Sequence, residues 1–244
     1  MAGSNLRPSE SDDPVGETLA DTSPSPPIRR ADLIGEELTL RPLVADRDVD
    51  ALHSVSHGSE ARERVWTYMA YGPFESRTAM HEFLFGCERS DDPRFYTAIR
   101  NDSGEAVGFA SLLAFDAASR RVEVGHIWIG ADFHRGRTAT ELVWLLLRES
   151  FDVLRCRRVE WKCDSLNERS RRAALRLGFR FEGIFRQHGI VKGRNRDTAW
   201  YSMLDSEWPR AKEALVRWLD WREGAPPSLA SLREDPPKDP SPAR

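Results

Sequence analysis

The stretch Trp128–Phe151, WIGADFHRGRTATELVWLLLRESF, limits the possible folds more than any other part of the chain. A short apolar run ends at a turn holding His134, Arg135, Gly136 and Arg137, and an apolar helix follows at once. Both flanking segments need burial, so the polar turn must lie at the rim of a layer that strand and helix share. The first amides of such a helix have no partner within it, and the helix dipole makes them a seat for an anion. A strand, a basic glycine-containing turn and a helix start at Thr138, Ala139 and Thr140 suit a pyrophosphate; a solvated loop with incidental arginines is the plainer alternative.

The preceding strand carries a second constraint. In VEVGHIWIG, Val122 and Val124 are apolar at even positions, then Ile127 and Ile129 at odd ones. Side chains on a regular strand alternate between faces, so the two pairs cannot share one side. One extra residue near Gly125-His126, a β-bulge, restores the phase; otherwise Trp128 belongs to a strand buried on both faces.

Around these segments, residues 37–43, 95–100, 105–115 and 120–130 read as strands, the last three joined in a meander with a hairpin turn at 101–104. A helix follows 37–43 with Asp46 as N-cap, and Thr78–Glu88 forms another. From Thr140 the order becomes helix 140–153, strand 157–165, helix 168–177 ended by Gly178, strands near 180–191 and 197–204, and a closing helix over about 206–222. A meander followed by alternating strands and helices is an α/β architecture with a mixed sheet.

Residues 1–30 and 224–244 are rich in Ser, Pro and acidic groups and poor in large apolar ones, so they read as disordered tails around one domain, 31–223. A formal net charge of -3 provides no global attraction to nucleic acid or membrane. Cys87, Cys156 and Cys163 lack paired-ligand spacing and are odd in number, so reduced thiols in a cytoplasmic protein are expected, with no metal site. No run is long and apolar enough to span a bilayer.

The strand-turn-helix, with SLNERSRRAALRLGF after it, resembles the GNAT acyl-CoA-dependent N-acyltransferases. YGPF, VEVGHIW, WKCDSLNERS and KGRNRDTAWYSMLDSEW are similar to the branch of bacterial ribosomal-protein N-terminal acetyltransferases, over roughly residues 36–220. The resemblance implies a mostly antiparallel mixed sheet of about seven strands flanked by helices, with a splayed fourth strand. It implies acetyl-CoA or another acyl-CoA as co-substrate, no metal, and transfer of the acyl group directly to a primary amine such as a protein N-terminus or a small molecule. The family's loop pattern, Gln/Arg-x-x-Gly-x-Gly/Ala, falls on His134, Arg137 and Ala139. Arg137 stands where glycine is usual, and a non-glycine residue resists positive φ; Gly136 beside it and a phosphate-binding guanidinium are the expected compensations. Residues 134–140 would hold the pyrophosphate, the backbone of Ile127, Trp128 and Ile129 the pantetheine arm, and Asn167 that arm or the start of its own helix.

Amine attack on a thioester needs a proton acceptor and a proton for the departing thiolate. Glu123 and His126 straddle the expected bulge and are the base candidates, against a strand carboxylate and a structural imidazole. Many family members carry a Tyr acid seven residues after the Asn; here that position is Ala174. Ser170 is the nearest alternative acid, or a helix cap. Cys163, mid-strand, reads as an inert thiol.

Trp66, Tyr68, Tyr71 and Phe74 resemble the family's acceptor-side loop, and Arg186 and His188 open a basic hairpin containing Lys192, Arg194 and Arg196. Such a wall and rim suit an acidic or peptide-like acceptor; packed aromatics, solvated charges and an Arg196-Asp197 ion pair are the alternative. A catalytically idle acyl-CoA-binding regulatory module and a ribosome- or RNA-associated protein are the rival functions, and a homodimer is permitted.

Overall fold

The computed structural model describes residues 15–133 and 137–233. Its centre is an eight-stranded sheet in the order β1-β2-β3-β4-β5-β6-β8-β7. The strands are β1 (Leu33–Ile34), β2 (Leu38–Pro42), β3 (Arg94–Arg100), β4 (Ala106–Asp116), β5 (Arg121–Ile129), β6 (Arg158–Asp164), β7 (Arg180–Val191) and β8 (Arg194–Leu204). Every neighbouring pair is antiparallel except β5 and β6. The expected mixed, mostly antiparallel sheet is therefore present; the two-residue β1 raises the count to eight and makes the splayed strand the fifth.

The helices are α1 (Ala45–Ser56), α2 (Glu60–Glu63), α3 (Arg77–Glu88), α4 (Thr138–Arg148), α5 (Glu168–Leu177), α6 (Trp208–Leu219) and α7 (Leu229–Arg233). Two cores result, one on each sheet face. Val107, Ala110 and Leu112 of β4 join Leu142, Leu145 and Leu146 of α4, whereas Phe109 joins Val49, Leu52 and Met80 beneath α1 and α3. α4 continues as a π-helical turn, Glu149–Val153, so the apolar run reaches the expected end at 153.

The cap expected at Asp46 is displaced. Val44 is the N-cap and offers no side-chain bond. Glu88 of α3 instead accepts from the Ala45 amide at 2.9 Å, and Asp48 accepts from the Val44 amide at 3.0 Å. Asp46 turns to His81 Nε2, 2.6 Å away. Tertiary neighbours thus satisfy the amides that a local cap would have served. By contrast, Gly178 ends α5 with φ of 107°, as its position after Leu177 requires.

Two segments read as tails pack on the domain. The Ser25 amide donates to the Ala117 carbonyl, and Ile28 lies on the larger core. Leu229 of α7 is buried there too, while Arg233 donates to the Arg176 carbonyl at 2.7 Å. Average composition concealed these anchors, because one or two apolar residues suffice to fix a short segment.

The bulge lies where the phase of the sequence requires it. Ser111 pairs with Gly125 but Phe109 with Trp128, so β5 has one residue more than β4 across this step. Val122, Val124 and Ile129 consequently share the larger core, with Ile127 packed against it, and Trp128 faces the smaller one. A regular strand would turn Ile129 away from that core. Losing one buried apolar side chain costs about 1.5–3 kcal/mol, more than the roughly 0.5–1.5 kcal/mol of a lost ladder hydrogen bond. Gly108 admits this backbone: a Cβ there would lie 2.5 Å from the Trp128 carbonyl oxygen. Gly108→Ala is expected to destabilise by about 1–3 kcal/mol through overpacking. Thermal unfolding should register about 2–4 °C per kcal/mol in a domain of this size.

Candidate active site

β5 and β6 pair only over Arg121–Arg158, Val122–Val159 and Glu123–Glu160, although both strands run on. Beyond Glu123 they part, and a cavity of about 540 Å³ opens between them. Its walls include Gly125 to Ile129, Trp161 to Asp164, Ala139 at the start of α4, and Asn167 and Ser170 at the start of α5. The strand segments and both helix starts expected to hold acyl-CoA therefore border one space.

Arg137 is the N-cap of α4 with φ of -76°, so its backbone does not need the left-handed conformation that glycine would have supplied. No side chain among the described residues caps the helix, and the first amides of a helix suit an anion. The Arg137 guanidinium donates to the Leu219 carbonyl and lies 3.9 Å from Glu37. Its described bonds are thus to the protein itself. Arg176 of α5, unremarked in the sequence, lines the cavity and donates to Thr140 Oγ1 at 2.8 Å. His134, Arg135 and Gly136 lie outside the described residues.

Glu123 stands at the point where the strands part, buried, with Lys162 Nζ 2.7 Å from its Oε2. Lys162 also lies 3.4 Å from Glu160 and 3.9 Å over the Trp200 ring. Burial pushes the Glu123 carboxyl above its ordinary value against the pull of Lys162. His126, at the bulge with φ of 52°, is set differently. Its ring lies 5.1 Å from that of Phe95 and 5.9 Å from that of Tyr71, and Nδ1 is 2.8 Å from Ser111 Oγ. Burial pushes its pKa down to about 4. Burial thus raises the carboxyl and lowers the imidazole, which removes the usual advantage of histidine as a base.

At the α5 end, Asn167 Oδ1 caps the helix by accepting from the Ser170 amide at 3.2 Å. Trp161 Nε1 donates to Ser170 Oγ at 3.0 Å, and the hydroxyl proton is directed to the Cys163 sulfur. Ala174 is wholly buried. Cys163 is buried, and burial raises its thiol pKa.

The expected aromatic wall is mostly core. Trp66 is 1% exposed, with ring centroids 5.9 Å from Tyr71, 5.4 Å from Phe74 and 5.1 Å from Trp128. Of the four aromatics only Tyr68 lines the cavity, its hydroxyl donating to the Leu166 carbonyl at 3.2 Å. Large flat rings bury most area by stacking on one another, which drew the other three inward. Arg186 and His188 border a separate groove at the bulged end of β7, with His188 Nδ1 3.0 Å from Thr198 Oγ1. Lys192 Nζ donates to the Trp66 carbonyl at 2.7 Å and ties the hairpin to the aromatic loop. Lys162 had a sequence signal: Glu160, Lys162 and Asp164 alternate with Val159, Trp161 and Cys163. Among the described residues no cluster of His, Cys, Asp or Glu is placed to hold a metal ion, and no helix is long and apolar enough to cross a membrane.

The sequence pattern of the acetyltransferase (GNAT) domain matches residues 37–180. A Bacillus subtilis (strain 168) protein named "Putative ribosomal N-acetyltransferase YdaF" is 28% identical over 181 residues, 73% of this chain and 97% of that protein. The crystal structure of a GCN5-related N-acetyltransferase from Brucella melitensis matches with a TM-score of 0.84 at 41% identity, over 88% of this chain and 100% of that one. The microcin C7 self-immunity acetyltransferase MccE, solved with acetyl-CoA and AMP, shares the fold with a TM-score of 0.61 at 22% identity, over 70% of this chain and 93% of its own. The pattern match over more than half of the chain shows that the chain belongs to the GNAT acetyltransferase family.

Proposed function

We propose that the protein transfers an acetyl group from acetyl-CoA to a primary amine, with Glu123 as base and Ser170 as acid. The observation that carries this reading is the opening of β5 from β6 immediately past Glu123, which leaves Glu123, Ser170 and the start of α4 lining one cavity. Acetyl-CoA supplies the activated thioester. The α4 amides from Thr138 to Thr140, with Arg176 beside them, suit its phosphates. Backbone groups of Ile127, Trp128 and Ile129, along the cavity wall, suit the amide-bearing arm. The MccE complex with acetyl-CoA adds support through the common fold.

Glu123 takes the proton of the attacking amine, directly or through a water. His126 is the weaker choice. Moving a proton from an α-ammonium of pKa near 7.7–8.0 to an imidazole near 4 is uphill by roughly 5 kcal/mol. His126 instead braces the bulge through Ser111. Ser170, held by Trp161 and hydrogen-bonded to Cys163, serves the departing thiolate by turning its hydroxyl from Cys163 to the leaving sulfur. YdaF's name suggests a ribosomal acceptor, and the three buried, unpaired cysteines fit a reducing compartment such as the cytoplasm.

Thiol release from acetyl-CoA, followed with and without a panel of amines, tests the reading. Release is expected only with an amine present, and the amine should gain one acetyl mass. Tight CoA binding without amine-dependent release would instead identify an idle binding module.

A further inference from the structure

Arg196 of β8 lines the same cavity, with its Nε sealed from solvent and bonded to no acceptor. The sequence paired it with Asp197, but adjacent strand residues point to opposite faces. Asp197 accepts instead from the Gln187 amide at 2.7 Å and from Asn195 Nδ2 at 3.0 Å, on the far side of the hairpin. Among the described residues no carboxylate lies within ion-pair distance of Arg196. The other cations of the cavity differ: Arg169 is exposed to solvent, and the rest have partners. Lys162 is held between Glu123 and Glu160, and Arg176 stands at the α4 end on Thr140. Arg64 reaches back to Glu60 at 3.1 Å. Against Arg64, Lys162, Arg169, Arg176 and Arg196 the cavity sets only Glu123 and Asp164, so its balance is positive although the chain is net acidic. Arg196 also lies within electrostatic reach of Glu123 and of Cys163.

A half-buried guanidinium whose Nε is sealed and unbonded, with no anion beside it, is a poor structural element. Its planar fork fits a carboxylate, and a ligand bringing one would satisfy it. We propose that Arg196 binds a carboxylate on the acceptor, so that the accepted amines carry a carboxylate close to the amino group. The proposal rests on the acetyl-transfer reading and names its substrate class. Two sources share this chemistry: a free amino acid, and a peptide whose first residue is acidic. Lys192 does not line the cavity, and Tyr68 donates its hydroxyl to the Leu166 carbonyl, so neither competes for that anion.

Matched acceptors test it: glycine against glycinamide for the free amino acid, and Asp-Ala-Ala-amide against Asn-Ala-Ala-amide for the peptide. The wild-type protein is expected to favour the acid of at least one pair in kcat/KM by about 10–100-fold, the range of a charge-assisted hydrogen bond. Arg196→Gln should reduce the acid rate far more than the amide rate, and Arg196→Lys should restore part of the preference. Equal wild-type rates for both members of both pairs, or an equal loss for acid and amide in Arg196→Gln, would overturn the proposal. Absence of thiol release with every amine would defeat the acetyl-transfer reading separately. Calorimetric titration of the same pairs in the presence of CoA then decides for Arg196. Acid-selective binding lost in Arg196→Gln supports the role, and unselective or undetectable binding refutes it.

Discussion

Glu123→Gln is expected to lower kcat by about two to four orders of magnitude, the usual contribution of a positioned general base, while CoA still binds. The substitution keeps the shape of the side chain where β5 and β6 part, and Lys162 retains Glu160 at 3.4 Å, so the cavity should survive. What disappears is the proton acceptor. Burial has made Glu123 a stronger base than a free carboxylate, and each unit of such a rise makes proton uptake easier by about 1.4 kcal/mol. The deficit should narrow above roughly pH 8, where an α-amine sheds its proton unaided. A pH series of kcat for both proteins, with CoA affinity measured alongside, reads both effects. A variant within threefold of wild type at neutral pH would remove Glu123 from the mechanism.

The largest loss of stability is expected at Asp48, which is 1% exposed yet carries charge. Its Oδ1 accepts from Arg41 at 2.7 Å and from Arg47 at 2.9 Å; its Oδ2 accepts from Thr97 at 2.7 Å and from the Val44 amide at 3.0 Å. One carboxylate thereby joins the start of α1 to β2 and to the middle of β3. Asp48→Ala leaves two arginines, a hydroxyl and an amide without this partner, at about 3–5 kcal/mol for a broken buried pair. Burial alone would raise the Asp48 pKa, but the bonds from Arg47, Thr97 and Val44 outweigh it and hold the pKa below the ordinary value. A lowered folded-state pKa gives stability that is complete above the ordinary Asp range and disappears as pH falls through the folded value. The gap between wild type and Asp48→Ala in denaturant unfolding should therefore be full at pH 7 and shrink on acidification below about pH 4. A gap independent of pH would mean that lost packing, not the charge network, sets the cost.

Reading the chain in order identified some of these features and missed others for a consistent reason. The shift from Val122 and Val124 to Ile127 and Ile129 implied the bulge, because alternation along a strand leaves no other way to keep them on one core. Gly178 implied the end of α5, because only a residue tolerant of positive φ closes a helix that way. Asn167 and Ser170 fell at a helix start, and Asn167 does cap it. These are constraints between neighbours, written in period and dihedral angle.

The partners of the charged and aromatic groups were not written there. Asp46 had the right residue type for a cap, but Glu88 and Asp48 serve those amides from elsewhere. Trp66, Tyr71 and Phe74 resembled a substrate wall until the second core took them in. Lys162 meets Glu123 only because β5 and β6 run parallel in the register Glu123–Glu160. By itself the sequence determined the order of elements, the phase break in β5 and the start of a helix directly after the basic turn. Tertiary structure alone decided which side chain meets which: strand register and sheet face are settled by burial summed over the whole domain, and no local pattern encodes that sum.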